Sequence, residues 1–456
     1  MRKASGLIGG VSMIAMLAAT SLSPIARAGG LGIPEQGTDA VAHSFAGATV
    51  YDDPATAFYN PAGMVLIQGN QFEGDLDFFD IKSKFSGQDS FGGGVNSTEG
   101  AGSYSGFVDP TVIPDNFGVF SLPGGLKAGF SLTTPDGGRI KFPANAQGNY
   151  QGNEAALTQI QLGLDVAVPV TDKFSIGFGP IVDYYQNVLG LNQNLGFLNP
   201  QTPDGAGAEG RFRGQSYSFG YNAGFMYQFT PDTRVGFDYR SKIFHKIKGV
   251  ETISVGPQVN AFLNSPPFNT LIGVPPAASP GTDKWIFPQT ISFGLYHRFS
   301  PQFAMMASAQ WADWHQEQTL IIDDAAANKF TLGSIYTNFH FRSAWTVGVG
   351  ADYKPVPKLT LMTGVGYDES PVTTPYRINL LPDNNRTMVS GGFSYQLLPF
   401  AKLQAAYAHY FIQGASINQT RQGLTSAGLN STISGTLTGA YSLSADVFST
   451  GVVVNF

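Results

Sequence analysis

A chain of 456 residues with 13% charged residues, a net charge of −6 and no cysteine excludes several classes at once. Soluble globular proteins carry about 25% charge. Nucleic-acid binding is not expected without a basic block, and disulfides, thiolate metal sites and cysteine nucleophiles need thiols. Abundant Gly (56), Phe (35) and Tyr (19) instead suit a barrel with a lipid-facing exterior, aromatic girdles and glycine turns.

In chain order, Arg2 and Lys3 precede an apolar stretch from Leu7 to Leu22 and a small-x-small site at Ala26-Arg27-Ala28. This predicts a secretory signal peptide over residues 1–28 and a mature chain starting at Gly29. No other stretch reaches the ~18 apolar residues of a membrane helix. Residues 29–70 lack strand alternation and are rich in small apolar residues, Asp and Pro. They predict a compact N-terminal hatch, or plug, with helical turns over Asp39–Ala46 and Asp53–Phe58. Asp53-Pro54 supplies an N-cap followed by Pro at the first helical position.

From Gln71 to Phe456 the period is two. In Tyr217–Phe229 every odd residue is Tyr, Phe or Ala, while the even ones include Ser218, Gly220, Asn222, Gly224, Met226 and Gln228. Alternation puts these sets on opposite faces of a strand. Thr158–Val168, Phe174–Tyr184, Trp345–Tyr353, Leu359–Tyr367, Val389–Leu397 and Leu403–Phe411 repeat the pattern. Aromatics stand at the ends of the apolar face, as at Trp345 and Tyr353, and Asp165, Asp238, Arg240 and Asp352 stand on the other. The prediction is all-β: a transmembrane antiparallel barrel of about 14 strands, an even number as single-chain bacterial barrels have. It spans residues 71–456 and encloses the plug. Expected strand starts are near Gln71, Asn116, Leu126, Ala155, Phe174, Gln215, Thr233, Thr282, Phe303, Phe339, Leu359, Thr387, Lys402 and Tyr441. Turns such as Thr230-Pro231-Asp232 and Val356-Pro357 are short and expected to be periplasmic. Longer linkers, about 192–213, 250–281, 320–337 and 413–438, are expected outside. The last strand ends in Phe456, which resembles the terminal signature that the barrel assembly machinery reads. A monomer in the bacterial outer membrane is expected, in contact with outer-membrane lipid and lipopolysaccharide.

Chemistry-bearing motifs are absent: no H-E-x-x-H, no G-x-S-x-G and no phosphate loop occurs. Asp313 and His315 are close in sequence, but beside Trp311 and Trp314 they read as an interfacial strand end. Nothing places a nucleophile beside a base, so neither an enzyme, a cofactor nor a metal site is expected. Function then falls to the lumen. Met226, Met306, Met362 and Met388 face it in this register; methionine suits an adaptable apolar pocket or packing against the plug. Arg240 faces the same way and either holds a carboxylate or pairs with a lumenal acid.

Three groups of residues carry a family resemblance: Tyr59-Asn60-Pro61-Ala62-Gly63, Gly366-Tyr367-Asp368-Glu369-Ser370-Pro371-Val372 with Leu381-Pro382-Asp383-Asn384-Asn385-Arg386, and Gln310-Trp311 with Trp314. Together they resemble the FadL family of outer-membrane transporters for long-chain fatty acids and its toluene- and xylene-uptake relatives. The resemblance covers essentially the whole mature chain. It implies a hatch with its motif at Asn60, Pro61 and Ala62, and a pocket touching the N-terminal residues Gly29 to Ile33, with Leu31 and Ile33 as ligand contacts. It also implies sideways release into the bilayer through a break in the third strand, here Leu126–Thr134 running into Pro135, Asp136, Gly137 and Gly138. Pro and Gly are the residues that interrupt a ladder. The expected cargo is a long-chain fatty acid, with an aromatic hydrocarbon as the alternative; a basic residue in the pocket discriminates, because a hydrocarbon needs no charge partner. A general porin would instead show open-channel conductance, and an outer-membrane lipid hydrolase would need a Ser–His pair.

Overall fold

The computed structural model describes residues 32–91, 100–144, 146–149, 151–194, 207–271, 276–323, 335–422 and 434–456. The expected signal peptide and Gly29, Gly30 and Leu31 lie outside the described residues.

Fourteen barrel strands follow in order, five of them interrupted. They are β1 (Gln71–Phe91), β2 (Gly100–Ser105 and Thr111–Ser121), β3 (Lys127–Thr133 and Gly137–Lys141), β4 (Glu154–Pro169) and β5 (Phe174–Asn194). Then come β6 (Gly207–Thr230), β7 (Thr233–Arg240 and Ile243–Val255), β8 (Ala278–Phe287 and Thr290–Ser300) and β9 (Phe303–Ala312). The last are β10 (Ala344–Val356), β11 (Leu359–Asp368), β12 (Arg386–Leu398), β13 (Ala401–Ile412 and Ala415–Gln422) and β14 (Ser434–Asn455). Each pairs antiparallel with the next, and β14 closes on β1 from Gln71↔Asn455 to Phe91↔Gly435. Closure leaves no lipid-exposed edge, the condition for crossing a bilayer with strands. Among the described residues no helix is long and apolar enough to cross.

The alternation explains which way each strand faces. On β10, Trp345, Val347, Val349 and Tyr353 are exposed, and Trp345 stands opposite Trp311 while Tyr353 stands opposite Phe303. An exposed apolar band of this extent is intolerable in water and belongs in hydrocarbon, bounded by aromatics at its two levels. The strand starts agree with the periodicity except where strands continue beyond the bilayer. β2 begins at Gly100 rather than near Asn116, β6 at Gly207 rather than Gln215, and β14 at Ser434 rather than Tyr441. The linkers read as 192–213, 250–281 and 413–438 are therefore partly strand, because polar residues outside the membrane still pair. β10 begins at Ala344, not Phe339; Phe339 and Phe341 are buried in an external cluster instead. The 320–337 linker contains a hairpin, Thr319–Ile322 with Ile335–Asn338.

The segment before β1 fills the lumen. It has a helix, α1 (Thr38–His43), a second helix, α2 (Thr56–Tyr59), and two 3-10 turns, Ala48–Val50 and Pro61–Leu66. Asp53 accepts from Ala55 N, so it caps the turn that leads into α2 rather than the helix itself. Ala40, Val41, Ala42, Ala46, Ala48, Ala57 and Ala62 are buried, because only small side chains let the backbone lie against the wall. The wall reciprocates: a Cβ on Gly364 would stand 2.0 Å from His43 O, and one on Gly236 2.0 Å from Thr49 O. Polar ties complete the fit. Thr38 N and Oγ donate to Asp75, Gly37 N to Asp115 and Gln404 to Asp39, while His43 Nε2 lies 2.8 Å from Asp352.

Candidate functional site

Above the plug lies a chamber of about 130 Å³ that opens to solvent. Gly32, Ile33 and Pro34 form one side, Phe58 and Tyr59 of the plug its floor, and Ile181, Ile243, Phe287 and Trp314 its apolar wall. Pro135 and Asp136 of the third strand reach it, and Arg240 and Arg386 project into it. The apolar wall faces a strongly polar one that includes Asp136, Gln161, Asp238, Asp368 and Asp383, so the chamber is amphipathic, with a greasy side and a charged side.

The two guanidiniums differ in what they already hold. Arg386 is engaged: it pairs with Asp368 at 2.6 Å and donates to Gly32 O at 2.8 Å. Asp368 also accepts from Thr346. Nearby, Ser370 Oγ donates to Asp383, Arg377 Nε to Asp383 O and Ser370 N to Asn385 Oδ1. The two sequence motifs, Gly366–Val372 and Leu381–Arg386, are thus one interlocked unit at the chamber's outer rim. Arg240 donates only to neutral acceptors, Phe58 O at 2.7 Å and Gln161 Oε1 at 2.8 Å, with its carbon 4.3 Å over the Phe58 ring. Among the described residues it makes no ion pair, although Asp238 also lines the chamber.

Asn60 holds the plug to the wall. It is fully buried, its Nδ2 donates to Thr49 O (2.8 Å) and Phe225 O (3.1 Å), and its Oδ1 accepts from Ala62 N (3.1 Å). Pro61 starts the following 3-10 turn, and Ala62 lies against Gly177. Replacing Asn60 by Ala orphans buried carbonyls and an N–H at about 1 kcal/mol each. The expected result is a plug that is cleaved by protease at lower temperature while the barrel keeps its folded gel mobility. Unchanged plug protection in Asn60→Ala would contradict this role.

The four methionines stand elsewhere. Met306 packs on Gly47 and Met226 on Gly63 of the plug, and Met362 and Met388 join a cluster with Val41 and Ala42. None lines the chamber. Ile33 does, Leu31 lies outside the described residues, and Pro135 and Asp136 occupy the break in β3, whereas Gly137 and Gly138 already pair with Thr158 and Leu157 of β4. The β2–β3 ladder lapses beyond Asn116↔Leu132, and β2 and β3 meet again at the single bridge Val108↔Ile140, where Lys141 N donates to Phe107 O. In between, the N-terminal segment takes the vacant position: Ile33 N donates to Pro135 O at 2.8 Å, Gly32 bridges Asp136, and Thr134 N donates to Gln36 Oε1 at 3.1 Å.

Glu35 belongs to this strap. It is buried and accepts from Tyr410 Oη. Burial pushes its carboxyl up to about 7, against the opposing pull of Arg386 and the Tyr410 hydroxyl, with Asp368 adding to the rise. A group that binds protons more tightly when docked than its usual 4.5 stabilises docking fully below that value and loses the contribution as pH rises through about 7. The effect is worth up to about 3 kcal/mol. Protease should therefore cut the strap faster at pH 8 than at pH 5.5, and Glu35→Gln should abolish the difference; a difference that survives Glu35→Gln assigns the effect to another group.

Two features escaped the sequence. An outer apolar pocket of about 80 Å³ is lined by Leu157, Tyr185, Leu189, Trp285, Leu320, Ile322 and Phe339; the apolar run Leu320-Ile321-Ile322 in the 320–337 linker was its signal. Asp313 and His315 do not meet, since Asp313 accepts from Gln289, Gln316 and Ser343. A serine does stand beside a histidine, correcting the expectation that none does: Ser216 Oγ is 2.8 Å from His245 Nδ1, and His245 Nε2 is 2.9 Å from Asp183. His245 and Asp183 are wholly buried, and their contact falls outside hydrogen-bond geometry. The trio sits where the β6–β7 ladder lapses between Gln215↔Lys248 and Asn222↔Arg240, so side chains stand in there for missing backbone bonds. A serine-directed fluorophosphonate is expected to leave Ser216 unmodified; labelling at Ser216 would assign it a nucleophile's role.

The sequence matches, over residues 19–456, the family model described as outer membrane protein transport protein (OMPP1/FadL/TodX). It is 25% identical over 417 residues to a long-chain fatty acid transport protein of Escherichia coli O6:H1, covering 86% of this chain and 90% of that one. It is 26% identical over 399 residues to a 47 kDa outer membrane protein of Pasteurella multocida, covering 84% and 87%. Among solved structures it is similar to a Pseudomonas aeruginosa FadL homologue, with a TM-score of 0.78 at 23% identity and 94% and 100% coverage. It is also similar to the Pseudomonas putida toluene transporter TodX, with a TM-score of 0.66 at 16% identity and the same coverage. At these identities the structural likeness is one of fold.

Proposed function

The chain belongs to the OMPP1/FadL/TodX family of outer-membrane transporters for hydrophobic compounds, and on that premise we propose that its cargo is a long-chain fatty acid released sideways into the bilayer. The observation that carries the reading is Arg240, a guanidinium in the chamber wall bonded only to neutral acceptors. A buried guanidinium is well matched to a carboxylate, which it grips through two parallel bonds. The apolar wall of Ile181, Ile243 and Phe287 suits the tail. An aromatic hydrocarbon, the cargo named for TodX, brings no carboxylate to Arg240, which then keeps only Phe58 O, Gln161 and the field of nearby carboxylates such as Asp165 and Asp238.

The path begins in the outer apolar pocket, passes to the chamber and leaves through the break at Thr134–Asp136 once the strap Gly32–Gln36 withdraws. A tail that entered the periplasm would cost ~0.8 kcal/mol per CH₂ exposed to water; one that slips into the bilayer avoids this. Transport on this reading is passive, down the gradient of the cargo. Cells producing the protein should take up labelled oleate faster than empty-vector cells. Uptake of labelled toluene without any gain in oleate would reverse the substrate assignment.

A further inference from the structure

Beyond the aromatic belt on its extracellular side, the outer face of β6–β8 carries a cluster of cations and, at its outer end, one exposed acid, Glu209, which accepts from Asn153. The exposed positions of β7 run Phe244, Lys246, Lys248, Val250. Lys246 stands directly opposite Lys284 of β8, and Lys248 is opposite Gln215 of β6, with Arg213 two residues further on. All four cations are exposed, and none makes an ion pair with a described carboxylate. Like charges directly opposite destabilise an antiparallel pair, and diagonal neighbours are only about 7–8 Å apart, so the arrangement calls for an external anion.

The contrast within the same barrel is informative. Arg211, next outward on β6, is matched by Glu154 at 3.2 Å. Lys82 on β1 is matched by Asp446 at 3.0 Å, which also holds His409. Only on β6–β8 does a contiguous group stand unmatched among the described residues. Beneath it Tyr217 (70% exposed), Phe219 (73%) and Phe244 (41%) form an apolar ledge facing hydrocarbon. A ligand that fits must carry several negative charges at headgroup depth and acyl chains below them. A free phosphate has no chains for the ledge, and a singly charged phospholipid matches one cation of the four.

We propose that this face binds lipopolysaccharide, the phosphorylated glycolipid of the outer leaflet, through the phosphates of its headgroup. This assignment rests on the outer-membrane location and not on the cargo. The purified barrel in detergent is titrated with lipopolysaccharide, with dephosphorylated lipopolysaccharide, with phosphatidylglycerol and with inorganic phosphate, and complexes are counted by native mass spectrometry. Saturable binding is expected for the first alone. Each cation removed near a charged membrane surface costs about five-fold in affinity, so K246Q/K284Q and R213Q/K248Q should each lose about thirty-fold, while K82Q should bind as the unaltered protein does. Equal binding of the dephosphorylated form or of phosphatidylglycerol overturns the proposal. So does full affinity in both double variants with folded gel mobility. The lipid comparisons use the unaltered protein and decide the matter even where a variant fails to fold.

Discussion

Joining Gly32 to Asp136 by a disulfide should reduce uptake of every cargo to the level of cells lacking the protein, and reduction of the bond should restore it. The two residues are bridge partners across the third-strand break, at the close approach a disulfide requires. The chain has no cysteine of its own, so the paired variant Gly32→Cys/Asp136→Cys forms one bond and no other. The plug and barrel remain as they are; only withdrawal of the strap is forbidden. If the oxidised variant transports at the normal rate, cargo does not leave past Pro135, and the lateral route is wrong.

The expected size of this effect follows from what holds the strap without the bond. Ile33 N to Pro135 O, Thr134 N to Gln36 Oε1, Gln36 N to Tyr59 Oη and Tyr59 Oη to Pro34 O contribute about 1 kcal/mol each, and Arg386 to Gly32 O and Tyr410 Oη to Glu35 up to about 2 kcal/mol each. Ordering the backbone offsets part of that sum. Opening therefore costs a few kcal/mol, a range that a ligand with unequal affinity for the two states can supply. The same residues, Gly32, Ile33 and Pro34, line the chamber, so a tail entering it competes for the space the strap occupies. Ligand occupancy and opening are then coupled through direct contact.

Much of this was legible in the period of the sequence. Tyr217 to Phe229 alternates so strictly that its lipid face could be written down residue by residue, and the small residues of the plug announced burial. Period two fixes a face but not a height, however. Arg240 and Met306 both face the lumen, yet one opens into the chamber and the other is covered by Gly47 of the plug. The difference depends on strand tilt and on where the plug stops. Ser216, His245 and Asp183 meet because β5, β6 and β7 are staggered against one another, and a stagger leaves no mark within any one strand. The Asp368–Arg386 pair was visible as two motifs, but its partner Gly32 lies over 300 residues away in sequence and joins them only when the N-terminal segment folds back into the barrel.

Arg240→Gln should separate the two cargo classes. Glutamine retains a donor toward Phe58 O but removes the charge, and a bond between charged groups is worth about 2 kcal/mol, or roughly thirty-fold in affinity. Oleate uptake at low concentration should fall by about that factor, and toluene uptake, if the protein supports any, should not. Arg240→Lys should recover only part of the loss, because an ammonium presents a point charge where a guanidinium presents a fork. Arg386→Gln is the contrasting variant: its guanidinium already serves Asp368 and Gly32, so its loss frees the strap and affects both cargoes alike. Should Arg240→Gln lower oleate and toluene uptake equally, Arg240 holds the plug through Phe58 rather than the cargo, and the carboxylate must be met elsewhere. Should it lower neither, the chamber takes its ligand by apolar contact alone, and the hydrocarbon assignment becomes the better one.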